Sequence, residues 1–195
     1  MVLGFIPRDP LAVHRVELPL RSYFEASIRR FNIKETKDGH PLSLDVIATL
    51  EGANNFRSSV GSDGTRISQR SSTLGLLVSK KIRKVAAVYV EPMLVANSNP
   101  APSGSGVDNN TLMVGLGTRL RIRPATYLVG EVTPRLSGYK PGVDQASFGI
   151  EMRAGGHTFQ INFSNGSGST LRQLTDSGVG GDSWFIGFNI SRKFF

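Results

Sequence analysis

The chain has 195 residues, which suits one domain, and it contains no cysteine, so disulfides and cysteine-ligated metal sites are excluded. The formal net charge is +8, but Lys and Arg are spread over nearly every segment. The longest basic cluster, residues 80–84, falls where a tight turn is expected, and a solvated turn is favoured there over a nucleic-acid surface. The longest apolar run, residues 85–90, is too short for a membrane-spanning helix, so a membrane protein of this composition would have to cross with strands.

Alternating apolar and polar residues predict an all-β fold with about nine antiparallel strands. Residues 1–18 are ambiguous because prolines interrupt them. From Leu20 onwards, segments of about ten residues alternate with a period of two, and none has the period of an amphipathic helix of similar quality. After the first strand at residues 20–33, the others are predicted at 43–51, 68–80, 85–96, 111–122, 125–133, 145–153, 157–164 and 183–195.

The connections between these strands alternate in length. Polar or glycine-rich loops at 52–67, 97–110 and 165–182 are long, the connection at 134–144 is of medium length, and the remaining turns are short. Gly155-Gly156 forms the tightest of these turns, since glycine tolerates the positive φ angles of a two-residue hairpin. Tight turns at one end and long loops at the other are typical of outer-membrane barrels, and this arrangement places the last strand's end on the short-turn side.

The charged residues share the strand face opposite the apolar one. In a membrane barrel they would line the interior, because one Arg at mid-bilayer would cost roughly 2–4 kcal/mol. In a soluble ligand-binding barrel or sandwich, the alternative fold, the same charged face would be the wet exterior. The residues predicted to line the lumen are Arg21, Glu25, Arg29, Asp45, Glu51, Arg119, Arg121, Glu131, Glu151 and Arg153.

The carboxyl end is an aromatic strand of the kind that directs assembly of outer-membrane barrels. Its apolar residues alternate with Gly187, Asn189 and Ser191, and they are in register with Phe194 rather than with the terminal Phe195. The predicted assembly signal comprises Trp184, Ile186, Phe188, Ile190, Phe194 and Phe195. It predicts two partners, the outer-membrane lipid and the barrel-assembly machinery.

Residues 128–195 carry a more specific pattern, a Gly-Gly-His-x-Phe-Gln hairpin at 155–160 with Asn165 after it and Gly-Phe-Asn-Ile-Ser-Arg at 187–192. This pattern resembles a family of membrane-bound β-barrels of unknown function. The resemblance implies a transmembrane, antiparallel up-and-down barrel in the bacterial outer membrane, and it implies no reaction, substrate or cofactor. The barrel domain is placed at 19–195, with 1–18 as an uncertain segment or remnant strand. Because single-chain bacterial barrels use an even strand number and the first ten residues lack a secretory layout, we expect a piece of a longer protein.

No set of residues predicts catalysis, a metal site or a cofactor. His157 has no nearby carboxylate at ligand spacing, and we expect a structural role for it. Gly115, Gly117 and Gly149 are expected to make room for bulky neighbours inside the barrel, and Tyr127, Tyr139 and Trp184 to form an interface girdle. The favoured function is therefore a narrow pore, a transporter or a structural barrel. An outer-membrane enzyme is a further alternative, but it would require a nucleophile and base cluster that the sequence does not show.

Overall fold

A computed structural model describes residues 23–33, 35–36, 39–53, 59–60, 66–67, 70–99, 108–168, 170–176, 178 and 183–192. The residues that it describes form twelve strands and one short helix. In chain order these are β1 (Tyr23–Ile33), β2 (Ser43–Ala53), β3 (Ser59–Val60), β4 (Arg66–Ile67), β5 (Ser71–Ile82), β6 (Ala86–Ala96), β7 (Asn110–Arg123), β8 (Thr126–Thr133), β9 (Arg135–Gly138), β10 (Gln145–Ala154), β11 (His157–Ser164), α1 (Leu171–Thr175) and β12 (Phe185–Arg192).

Nine long strands form one antiparallel sheet in the order β1-β2-β5-β6-β7-β8-β10-β11-β12, and β9 pairs with the start of β7. Each long strand pairs with the next long strand in the chain, so the up-and-down topology and the strand number predicted from the sequence are confirmed. The sheet curls into a half-barrel. Within the described residues, β1 and β12 are its two edges. The predicted uncertain segment at 1–18 lies outside those residues.

The predicted alternation of short turns and long connections is also present. Gly155 and Gly156, with φ of 56° and 81°, join β10 to β11, and residues 83–85 and 124–125 make the other tight turns. Three of the longer connections, however, contain elements that were not predicted. The β3–β4 hairpin lies between β2 and β5, β9 lies between β8 and β10, and α1 lies between β11 and β12.

The two faces of the sheet are opposite in polarity, and the apolar one points outward. Leu116, Ile161 and Phe188 are 40%, 48% and 64% exposed on the outer face. Glu51 and Glu151 are each 3% exposed on the inner face. A water-soluble barrel would have the reverse arrangement, because apolar side chains on its outer face would be left in contact with water. The outer surface is therefore suited to hydrocarbon.

The inner face is not uniform. On β2 and on β5 to β7 it carries apolar side chains that pack with α1, and the cluster consists of Ile47, Leu77, Tyr89, Met93, Val95, Met113, Leu171 and Leu174. On β10 and β11 the inner face carries buried polar residues, among them Gln145, Gln160 and Asn162. The apolar part was not predicted from the sequence, and it is the surface on which the short helix rests.

Candidate functional site on the inner face

The short-turn end of the inner face holds a group that we call the arginine cluster, composed of Arg119, Tyr127, Glu151 and Arg153. Arg119 binds Glu151 through two hydrogen bonds, from Nη2 to Oε1 at 2.7 Å and from Nε to Oε2 at 3.2 Å. Arg153 Nε donates to the same Oε1 at 3.0 Å. The Arg119 Cζ atom lies 3.4 Å from the centre of the Tyr127 ring, and that of Arg153 lies 5.2 Å from it. Two guanidinium groups therefore share one carboxylate above one aromatic ring.

Strand register explains why these four residues meet. Tyr127 on β8 is paired with Glu151 on β10, and Arg119 on β7 lies beside β8 with Val129 as its partner. Arg153 is two residues along β10 from Glu151, so both point to the same face. The sequence placed Tyr127 in a membrane-interface girdle, and this prediction was wrong, since the ring lies on the inner face under Arg119.

The other predicted lumen residues do not belong to this cluster. Asp45 is 6% exposed, Glu131 is half-buried, and Glu25 and Arg29 belong to β1, where they pair with Glu51 and Ile47. The Arg121 side chain binds the adjacent turn, where its Nη2 donates to the Pro124 carbonyl at 3.0 Å. Arg21 lies outside the described residues. The structure therefore gathers three of the predicted lumen residues, Arg119, Glu151 and Arg153, into one group.

A strip of polar residues runs along β10 and β11 on the inner face. Gln145 Nε2 donates to Ser164 Oγ at 3.2 Å, but Gln145 Oε1 and Asn162 Oδ1 are buried without a hydrogen-bond partner among the described residues. Gly149 lies against Asn162, and a Cβ there would collide with the Asn162 side chain. Buried amide oxygens of this kind are usually satisfied by water. We therefore expect the polar strip to be hydrated.

The helix α1 covers the opposite part of the inner face at the long-loop end. Thr170 caps it and forms a capping box with Gln173, which satisfies free amide groups at the helix start. Leu171 and Leu174 are 7% and 4% exposed against the apolar cluster. The Arg172 amide donates to Glu51 Oε2 at 3.2 Å.

Two buried arginines, Arg135 and Arg172, form hydrogen bonds and ion pairs that hold α1 in place, and neither was predicted from the sequence as a site residue. Arg172 Nη2 donates to the Ser98 carbonyl at 3.3 Å, and Arg172 Nη1 pairs with Asp176 Oδ2 at 3.0 Å. Arg135 pairs with Asp144 at 3.0 Å and donates from Nη1 to the Thr175 carbonyl at 3.1 Å. Burial raises the pKa of Asp176, although the guanidinium groups of Arg172 and Arg135 oppose this shift. The helix is therefore held by directional bonds as well as by apolar contact.

The predicted assembly residues of β12 lie on the outer face. Ile186, Phe188 and Ile190 are 74%, 64% and 55% exposed on β12, and Trp184 lies just before that strand. The Trp184 ring is 5.5 Å from that of Phe148 in an edge-on contact, and Phe148 stacks on Phe163 at 5.3 Å. Phe194 and Phe195 lie outside the described residues. An aromatic surface therefore faces outward near the long-loop end of the last two strands.

Two other kinds of feature are absent from the described part of the chain. No group of three or more His, Asp or Glu side chains there could hold a metal ion. No helix there is long and apolar enough to cross a membrane. His157 at the start of β11 lies with its ring 6.0 Å from that of Phe159.

The curled antiparallel sheet, the apolar outer face and the charged inner face together define a membrane β-barrel. Comparison with known families supports this class: residues 4–194 match the family described as "Membrane bound beta barrel domain" (DUF5777). The chain belongs to this family, and its membrane location follows. The soluble alternative is thereby contradicted. Neither the search of curated proteins nor the search of solved structures gives a match.

Proposed function

We propose that this chain is an outer-membrane barrel that provides a narrow, gated path for small polar solutes. The path follows the polar strip of β10 and β11. The helix α1 rests on the facing, apolar part of the inner face and narrows the path from that side at the long-loop end. The observation that carries the proposal is the buried pair of amide oxygens, Gln145 Oε1 and Asn162 Oδ1, without a partner among the described residues. A barrel interior that served only as packing would favour apolar side chains, since an unsatisfied buried polar group costs about 1–3 kcal/mol.

The role of α1 as the gate is supported by its position and by its attachments. A five-residue helix is not stable by itself, so it depends on its contacts with the sheet. These contacts are one apolar patch and a few bonds to Glu51, Ser98 and Arg135. An element attached in this way can undock without disturbing the ladders of the main sheet.

The outer-membrane location is supported by the alternation of short turns and long loops and by the exposed aromatic β12. We infer that β12 is the strand that the barrel-assembly machinery engages. Density-gradient separation of the two membranes tests the location, and recovery of the chain with the inner membrane would contradict it. We assign no catalytic step to the protein.

Planar-bilayer conductance of the refolded chain tests the path and the gate. One variant replaces residues 170–176 with a Gly/Ser linker of equal length, and a control replaces the three turn residues 83–85 in the same way. Correct folding is checked by resistance to detergent at room temperature and by circular dichroism. We expect rare openings in the unaltered chain and in the control, and frequent openings in the α1 variant. Absence of channel events in all three folded proteins would reject the path and favour a structural barrel.

A further inference from the structure

We propose that the arginine cluster binds anionic oxygen groups, carboxylate or phosphate, at the short-turn mouth. The binding site stands on its own geometry. Its consequence, a preference of the path for anionic solutes, rests on the function proposed above. The observation behind it is that Arg119 and Arg153 share the single carboxylate of Glu151.

The cluster holds its arginines in fixed positions before any ligand arrives. Glu151 accepts two hydrogen bonds from one edge of the Arg119 guanidinium. The Tyr127 ring packs against the face of that guanidinium, with Cζ 3.4 Å from the ring centre. Arg153 is bound to Glu151 only through Nε, and its two Nη atoms have no hydrogen-bond partner within the described residues. The Arg119 and Arg153 side chains are 21% and 33% exposed, so both are open to the interior.

Charge balance separates a binding site from an internal ion-pair ladder. A ladder that only fills the lumen would match each guanidinium with a carboxylate. Among the described residues two guanidinium groups meet one carboxylate, and the excess positive charge lies in a partly buried setting where counter-charge is worth more than in water. Rings of Arg and Lys are also the means by which pores select anions and phosphate.

Most of the charged residues described at the surrounding mouth are also positive, although Glu35 lies there too and accepts a hydrogen bond from the Lys81 amide at 2.9 Å. The tips of the hairpins β5–β6 and β7–β8 are joined by a hydrogen bond from the Arg121 amide to the Val85 carbonyl. These tips and the strand ends beside them carry Lys80, Lys81, Arg83, Lys84, Arg121 and Arg123. At the long-loop end, by contrast, Arg135 and Arg172 are paired with Asp144 and Asp176. The field of the molecule therefore draws anions toward the short-turn mouth.

Two measurements on the refolded full chain test this site. The variant R119Q/R153Q removes two positive charges from the cluster. The control K140Q removes one positive charge from an exposed residue at the other end. In the first measurement, the reversal potential in a KCl gradient gives the anion-to-cation permeability ratio. We expect a ratio above one for the unaltered chain and the control, and a ratio at or below one for R119Q/R153Q.

In the second measurement, thermal unfolding in detergent compares inorganic phosphate with KCl of equal ionic strength. We expect phosphate to raise the Tm of the unaltered chain and of K140Q but not of R119Q/R153Q. A chain that is silent in bilayers but stabilised by phosphate would refute the path and retain the site. An equal Tm response in all three proteins would overturn the site. Stabilisation by phosphatidylglycerol micelles without any effect of inorganic phosphate would assign the cluster to lipid headgroups and overturn the solute preference.

Discussion

Whether the apolar face of the sheet contacts lipid can be tested by placing one charge at two depths on the same strand. Leu116 lies near the middle of β7 and is 40% exposed, and Ile122 lies near its short-turn end and is 48% exposed. Both belong to the outward-pointing set. The substitutions L116R and I122R therefore place the same side chain on the same face of the same strand, and they differ in depth.

The expected difference follows from strand geometry. The six residue steps from Leu116 to Ile122 span about 20 Å at a rise of roughly 3.4 Å per residue. With a strand tilt of about 40°, the change in depth is ~15 Å, which exceeds half of an apolar band about 25 Å tall. Leu116→Arg should then cost about 2–4 kcal/mol of unfolding free energy and Ile122→Arg about 0–1 kcal/mol.

Urea unfolding of the refolded protein in phosphatidylcholine vesicles measures both values, with tryptophan fluorescence from Trp184 as the signal. On a water-facing surface both substitutions would change stability by only about 0.5 kcal/mol. Equal costs for the two substitutions, whether small or large, would refute the depth argument. A larger cost for Ile122→Arg would show that the strand is placed in the bilayer differently from the way we infer.

Three further predictions concern the inner face. E151Q should lower the free energy of unfolding, measured by urea denaturation, by about 1–3 kcal/mol, because two partly buried guanidinium groups lose their shared counter-charge. A loss below about 0.5 kcal/mol would contradict a structural role of the carboxylate. G117A should cost about 1–3 kcal/mol because its Cβ would overlap the buried Tyr89 ring, and a smaller residue at Tyr89 in the same chain should restore most of the loss. The raised pKa of Asp176 means that ionisation of this carboxyl weakens docking of α1. The contribution of Asp176 to docking is therefore fully present below its ordinary pKa and is lost as the pH rises through the raised pKa of the folded state. Hydrogen exchange of the α1 amides should show a matching decrease in protection, which D176N should reduce, and the contribution of Asp176 should be small because its side chain is 38% exposed.

The sheet could be predicted from the sequence because its signal is local. Alternation such as Leu116, Leu120 and Ile122 against Gly117, Arg119 and Arg121 needs no knowledge of the partner strand. The lipid requires the whole outer face to be apolar, so the pattern persists from strand to strand. Turn chemistry is equally local, and Gly155-Gly156 is where the structure has positive φ.

The helix α1 and the apolar part of the interior could not be predicted in this way. Leu171 and Leu174 have helical spacing, but one and a half turns give no periodic signal among the glycines and serines of that loop. A usable signal was the Thr170-x-x-Gln173 pattern of a capping box. Inner-face residues such as Tyr89 and Met93 stood at polar-face positions, and the structure shows that they belong to the apolar cluster on which the helix rests.

The contacts within the arginine cluster could not be predicted from the local sequence pattern. Arg119, Glu151 and Arg153 were identified as lumen residues by alternation alone, but the sequence does not state that both arginines share one carboxylate above Tyr127. That depends on the register of β7, β8 and β10, which is set by the turns between them and by a face that must meet lipid. A shift of one residue between β8 and β10 would turn the Tyr127 ring outward and remove the support of the Arg119 face. The same register that keeps Ile150 in hydrocarbon therefore also assembles the positive mouth, so a substitution that shifts this register should alter membrane stability and anion binding together.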